Sequence, residues 1–409
     1  MTEGKSPLQP DGGLTAISSG GSRYWSRFVL IYCCGILAAT SLGKMAPISP
    51  TLSAELKLSL DEMALVTSST TAVAALLGVP ISHLIGRLNL RLALLGGCVL
   101  MGVAGFLGSR AGGYGFLLGT RMVESLGYVT VVVAAPVLII AMGEGTRRTA
   151  ALAIWGTFLP VGLAVGSFGG GVVSDAFGWR WWLVANAVVL ALAGIAAVLV
   201  LGRAATGLPP EPAAARPGGL RRLGRPLLLA GGLATVSGTI VAIVSLLPTY
   251  LHDTQGLSIA AAGTITGAVS FIGVAGGFYG SWLLSRGVPA RRVFLATLLM
   301  PVGAAIVFFD LDGVVVCMAG AVLIALANEF VIAAIFASIP DVVAAPSDIG
   351  LANGLLAQIG SIGALSGPPL LSLVVLGADG WWAIVPAALV VCALGTIVLR
   401  ASLHRPLRG

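Results

Sequence analysis

Apolar residues run almost without interruption along this chain, and brief polar breaks divide them into twelve stretches, each long enough to cross a bilayer. A spanning helix needs about 20 mainly apolar residues at about 1.5 Å each. By that measure the pattern predicts helices over 27–49, 62–86, 91–110, 114–142, 149–173, 181–202, 226–251, 258–285, 291–309, 313–338, 349–376 and 381–402. Two places break the pattern more deeply. Residues 1–24 are polar and rich in Gly and Ser, which reads as a flexible tail without the charged-then-apolar order of a cleaved leader. Residues 203–226, RAATGLPPEPAAARPGGLRRLGRP, exchange aliphatic side chains for Pro, Gly, Ala and Arg and read as a linker. The expected organisation is a tail (1–24), a six-helix unit (25–202), the linker (203–226), a second six-helix unit (227–402) and a short tail (403–409).

The two units repeat one another. Leu58-Ser59 before the second helix matches Leu257-Ser258 before the eighth, Ser82 matches Ser281, and Arg87 matches Arg286, all at an offset of 199. Internal duplication is how many transporter folds are built, with the substrate site where the repeats meet. The fold class expected is an all-α membrane protein of twelve transmembrane helices in two pseudo-symmetric six-helix bundles.

Composition narrows the class. The chain is 57% hydrophobic and only 10% charged, with a mean hydropathy of +1.00; a soluble domain could not bury that much apolar surface. The net charge of +7 is a topology signal: with the N-terminus cytoplasmic, 18 of the 23 Lys and Arg fall on the cytoplasmic side. Lys44, Lys57, Arg110, Arg121 and Arg180 are the exceptions. No nucleic-acid partner is needed to explain the basic balance. The five cysteines all sit inside apolar stretches without metal or redox spacing and read as packing residues. Three scattered histidines suggest no metal site, and Asp310-Leu311-Asp312-Gly313 lacks the other ligands of a calcium loop. No Gly-Lys-Ser/Thr phosphate cradle and no HExxH are present, which argues against an ATP-driven pump or a membrane protease.

Several loop and helix motifs point to one family. The loop after the second helix reads SHLIGRLNLR, and its second-half copy reads SWLLSRGVPARR. The fourth helix carries RMVESLG, and the sixth opens with GWRWW. The fifth carries Gly162-x-x-x-Gly166-Ser167-x-x-Gly170-Gly171, with a sister copy Gly363-x-x-x-Gly367-Pro368 in the eleventh. With these motifs the chain resembles the major facilitator superfamily from Trp25 to Leu399. The resemblance makes Ser82, Gly86, Arg87, Arg91, Ser285 and Arg286 the gate loops. The family's usual latch Asp is replaced here by Gly86 and Ser285, which puts a carboxylate latch in doubt. The glycine motif is similar to one that family exporters carry, with Ser167 where Pro is usual. Its simpler reading is close helix packing through small residues, and both can hold.

Charge at bilayer depth costs on the order of 2.5–3.5 kcal/mol on insertion scales, so each ionisable survivor is a candidate. Lys44, Arg121, Glu124 and Glu329 stand out, and the resemblance places helices one, four, seven and ten around a central cavity that all four could reach. Arg121 and Glu124 share a helix face at i, i+3, either as a structural ion pair or as a pair that substrate breaks. Glu329 has no basic neighbour in its own helix and is expected to carry a proton, with Glu124 as second candidate; a permanently protonated Glu329 is the alternative. Lys44 either snorkels to the interface or points inward to attract an anion. Substrate contacts are expected at Lys44, Arg121, Tyr128, Asn328, Ser245 and Gln358, with Ser237 and Asn353 supporting.

The sequence thus predicts a secondary active transporter, not an enzyme, moving a small organic solute by alternating access with proton exchange, with export favoured. Uptake of a small anion such as cyanate, nitrate or a monocarboxylate is the alternative, and a membrane protein without transport activity a more distant one. The expected setting is the bacterial inner membrane with both termini cytoplasmic. The expected partners are a small-molecule substrate, protons and the lipid bilayer, with no cofactor and no metal, and the chain acting as a monomer.

Overall fold

The computed structural model describes residues 13–86, 88–201, 223–309 and 313–404, with the backbone alone at 13–22, 60–61 and 259–260. Arg87, most of the linker expected at 203–226, Asp310 to Asp312 and the outer parts of both tails lie outside the described residues. Among the described residues, twelve helices are long and apolar enough to cross a membrane. We number them α1 (Arg23–Gly43), α2 (Glu62–Ile85), α3 (Leu90–Gly108), α4 (Tyr114–Met142), α5 (Gly145–Phe177), α6 (Trp179–Leu201), α7 (Gly224–Asp253), α8 (Ala261–Ser285), α9 (Ala290–Phe308), α10 (Val314–Ala337), α11 (Pro346–Gly377) and α12 (Trp381–Ser402).

Local chemistry sets their limits. Helix α1 continues a helix that begins at Gly13, so the backbone of 13–24, expected as part of the tail, is helical. Once the span is nucleated, each added residue gains a hydrogen bond without a new nucleation cost. The same helix stops at Gly43 and not near 49. Pro47 has no N–H for the Gly43 carbonyl, which accepts from Ser167 Oγ at 3.3 Å instead. A short helix, Ser49–Leu56, follows. The repeated residues Ser59 and Ser258 are helix caps: Ser59 Oγ accepts from Glu62 N at 3.2 Å, the Glu62 carboxylate accepts from Ser59 N at 2.9 Å, and Ser258 Oγ accepts from Ala261 N at 3.2 Å.

Helix α5, expected to be continuous, is broken. Its pieces are Gly145–Trp155 and Phe158–Phe177, and the Gly156-Thr157 step separates them. Pro160 cannot donate to the Gly156 carbonyl four residues earlier, so the ladder lapses at that point.

Packing reproduces the duplication helix by helix. In the first half α1 packs on α5 and α6, α4 on α2 and α3, and α3 on α6. In the second half α7 packs on α11 and α12, α10 on α8 and α9, and α9 on α12. The halves meet through α2 and α4 on α11, and through α8 and α10 on α5, which is again one contact pattern and its symmetry mate. Large apolar side chains such as Phe168, Leu199 and Leu370 point outward, as lipid-facing positions require.

The glycine motifs form close helix–helix seams within each half. A Cβ on Gly166 would come within 2.8 Å of the Thr40 carbonyl, while Gly162 abuts Ala39 and Gly170 abuts Pro47 and Trp182. In the sister seam Gly363 lies on the Ala234 backbone and Gly367 on that of Gly238. Gly171 faces open space and belongs to neither seam.

Candidate functional site

A cavity of about 860 Å³ lies between the two halves, within the range of about 300–1,000 Å³ of small-molecule sites. Its wall is mainly aliphatic and aromatic, with Phe158, Phe336 and Tyr128 among the largest side chains. Serines and threonines are interspersed, and two stronger polar groups sit side by side, Asn328 and Glu329 of α10. No Lys, Arg, His or Asp lines it among the described residues. The lining reaches Leu42, Ser49 and Met63, at the ends of helices away from the arginine-rich loops.

Toward the arginine-rich end the halves are held together, and two prolines explain how. Pro80 in α2 and Pro136 in α4 have no N–H, so the carbonyls of Leu76 and Val132 lose their helical partners. Both are taken up by amides from α11. Asn353 Nδ2 donates to Val132 O at 3.1 Å and to Val133 O at 2.7 Å. Gln358 Nε2 donates to Leu76 O at 3.4 Å while its Oε1 accepts from Val79 N at 2.9 Å. Below them Gly354 packs on Ser82, and on the symmetric seam Ser281 Oγ donates to Ala150 O at 3.0 Å.

Of the substrate contacts expected from the sequence, Tyr128, Asn328 and Ser245 line the cavity together with Glu329, and Ser237 and Asn353 do too. Gln358 does not; it belongs to the inter-half seam just described. Lys44, Arg121 and Glu124 are likewise away from the cavity wall, joined in a closed triad inside the first half. Lys44 Nζ donates to Glu124 Oε1, and Arg121 Nη1 donates to Glu124 Oε2 at 2.5 Å. Arg121 Nη2 reaches Ser41 O at 2.8 Å and Thr70 Oγ1 at 2.9 Å, and its Nε reaches Val66 O at 3.3 Å. Lys44 is only 1% exposed, so it does not snorkel to the interface.

The Asn328–Glu329 pair is incompletely satisfied. Asn328 Nδ2 donates to Glu329 Oε1 at 2.8 Å, but Asn328 Oδ1 and Glu329 Oε2 are buried without a hydrogen-bond partner among the described residues. Behind Glu329 stands the α5 break. A Cβ on Gly277 of α8 would meet both the Thr157 methyl and the Glu329 carbonyl, and Thr157 Oγ1 shares a 2.6 Å hydrogen bond with Tyr32 OH of α1. Tyr32, Thr157 and the break were not singled out from sequence, although a Gly four residues before a Pro at 156–160 is the signal that marks them.

The described residues among those expected in gate loops sit at the arginine-rich helix ends. Gly86 caps the end of α2, Arg91 Nε is buried without a partner among the described residues, Ser285 Oγ bonds the Trp282 carbonyl at 2.7 Å, and Arg286 stacks 4.1 Å above the Trp282 ring. At the opposite end, Arg180 is explained by a clasp. Its Nη2 and Trp179 Nε1 donate to the two oxygens of Glu55 at 2.7 and 2.6 Å, and its Nη1 reaches Ser109 O at 2.7 Å. The hydrogen bonds from Trp179 and then Arg180 hold the Glu55 carboxyl below its ordinary value. Among the described residues no cluster of His, Cys, Asp or Glu could hold a metal ion.

A family model described as Major Facilitator Superfamily matches residues 31–368. A segment of 167 residues, 40% of this chain, is 28% identical to an uncharacterized MFS-type transporter of Mycobacterium tuberculosis (strain ATCC 25618 / H37Rv), and the match spans only 28% of that relative's length. Among solved structures, the transporter FucP in the outward conformation superposes over 94% of this chain and all of its own, with a TM-score of 0.76 at 16% identity. The human organic anion transporter MFSD10 (TETRAN) superposes over 92% of this chain and 99% of its own, with a TM-score of 0.73 at 15% identity. At these identities the structural likeness establishes the fold.

Proposed function

The chain belongs to the major facilitator superfamily, and from that premise we propose that it is a proton-coupled secondary transporter that exports a small organic solute across the bacterial inner membrane. The observation that carries this reading is the cavity between the halves, sealed at the arginine-rich end and holding one buried carboxylate, Glu329, with an unpaired oxygen. The positive-inside rule puts the arginine-rich end, and with it both termini, in the cytoplasm. The cavity then faces outward.

Coupling follows from the cost of a buried charge. An ionised Glu329 is tolerated while the cavity holds water and is expensive once the halves close over it. A proton or a cationic group on the carboxylate removes that cost, so occupancy of Glu329 biases the equilibrium between the two access states. Glu124, the second candidate, is held between two cations away from the cavity and is a poorer carrier. Anion uptake loses its support for the same reason, since Lys44 and Arg121 are engaged with Glu124. The protein is taken to act as a monomer, each chain containing both halves of the site.

The test is reconstitution into proteoliposomes with an imposed pH gradient, using whichever solute stabilises the purified protein in a thermal-shift screen. Wild type should move that solute against the proton gradient, and Glu329→Gln should abolish gradient-driven movement while leaving solute counterflow measurable. Gradient-driven transport at the wild-type rate in Glu329→Gln removes Glu329 as the carrier, and solute moving in the same direction as the protons reverses the export assignment.

A further inference from the structure

We infer that the transported substrate is a lipophilic amine, whose ammonium group docks between the two unpaired oxygens of Asn328 and Glu329 while its apolar body fills the aromatic and aliphatic part of the cavity. This rests on the transporter reading above and assigns the chemistry of that same site. The cavity wall holds two buried acceptors on neighbouring residues, Asn328 Oδ1 and Glu329 Oε2, that have no donor among the described residues. Native proteins pair such groups, so two together in a cavity wall indicate a donor that arrives with a ligand. Asn328 and Glu329 are 4% and 8% exposed, and Asn328 Nδ2 engages one oxygen of the carboxylate and leaves the other.

Charge selects the donor. No basic side chain lines the cavity among the described residues, so an anionic ligand would face Glu329 without compensation. An ammonium supplies up to three donors and the opposite charge, and the bond to an ionised acceptor is about twice as strong as a neutral one. The faces of Phe158, Phe336 and Tyr128 suit aromatic bodies and can also favour a nearby cation. A sugar-like solute would leave many hydroxyls opposite aliphatic side chains, at a desolvation cost.

The test uses three probes with one skeleton: 3,3-diphenylpropylamine, 3,3-diphenylpropanol and 3,3-diphenylpropionate. Binding is measured calorimetrically on the full chain in nanodiscs, with empty nanodiscs subtracted. The amine should bind saturably and at least about tenfold more tightly than the carboxylate. Glu329→Gln should weaken the amine about tenfold and leave the alcohol unchanged, and Asn328→Leu, an independent variant should Glu329→Gln not fold, should weaken the amine as well. Carboxylate binding as tight as amine binding, no saturable amine binding, or amine affinity unaltered in these variants overturns the inference. Because binding is read without any gradient, its failure alongside intact proton-driven transport sinks only the substrate class. Wild-type gradient-driven transport by Glu329→Gln with the amine preference intact sinks only the proton assignment.

Discussion

Glu124 is a single carboxylate serving two buried cations, and its removal should be the most costly neutral substitution in the first half. Its side chain is 3% exposed and those of Lys44 and Arg121 1% each. Glu124→Gln keeps the shape but strands both positive charges. Arg121 retains acceptors at Ser41, Thr70 and Val66, whereas the Lys44 ammonium keeps no other hydrogen bond recorded among the described residues. Removing one partner of a buried pair typically costs about 3–5 kcal/mol, because an uncompensated charge remains. Lys44→Met, by contrast, leaves a balanced pair of Arg121 with Glu124 and should cost at most about 1–2 kcal/mol, since replacing a buried charge by an apolar side chain of similar volume is often near neutral. Combining the two should recover part of the Glu124→Gln loss, a coupling of about 0.5–3 kcal/mol expected for groups in contact. Reversible unfolding of the purified protein in mixed detergent micelles, followed by circular dichroism, gives all four corners of the cycle. Glu124→Gln as stable as wild type, or strictly additive losses in the double variant, would refute the triad as a cooperative unit.

The packing seams predict a contrast between glycines of the two sister motifs. Gly367→Val forces a side chain into the Gly238 backbone and should abolish monodisperse protein on size exclusion, whereas Gly171→Val, facing open space, should leave yield and melting temperature unchanged. Asn353→Leu frees the Val132 and Val133 carbonyls, and hydrogen–deuterium exchange should rise along α4 and α11 near the arginine-rich end; unchanged exchange would refute the seam. Glu55, held low by Trp179 and Arg180, adds stability that is present above the ordinary carboxylate value and lost as pH falls through its folded value. Glu55→Gln should therefore flatten the acid side of the melting-temperature profile, and a profile parallel to wild type would contradict the clasp.

The helices were legible because bilayer crossing imposes length and apolarity on sequence directly, and the duplication because Ser59 and Ser258 do the same capping work in each half. The break in α5 was missed because an apolar window does not register a lapsed hydrogen bond, though Gly156 and Pro160 encode it. Glu329 could be found as a lone carboxyl at depth. The reach of Lys44 and Arg121 could not, since i, i+3 spacing shows that Arg121 and Glu124 share a face but not which neighbours that face meets. The place of Gln358 in the seam was not legible for a related reason: it depends on a carbonyl that a proline frees in a helix 282 residues away.

The seam at the arginine-rich end is fastened by amides, a hydroxyl and bare backbone, with no ion pair across it among the described residues. A fastening made of dipoles is indifferent to the ionic strength around it, because mobile ions screen net charges and leave short-range dipolar contacts largely untouched. On the transporter proposal, the balance between the two access states should therefore hold steady as salt at that face rises and falls, so that osmotic history leaves the seam alone.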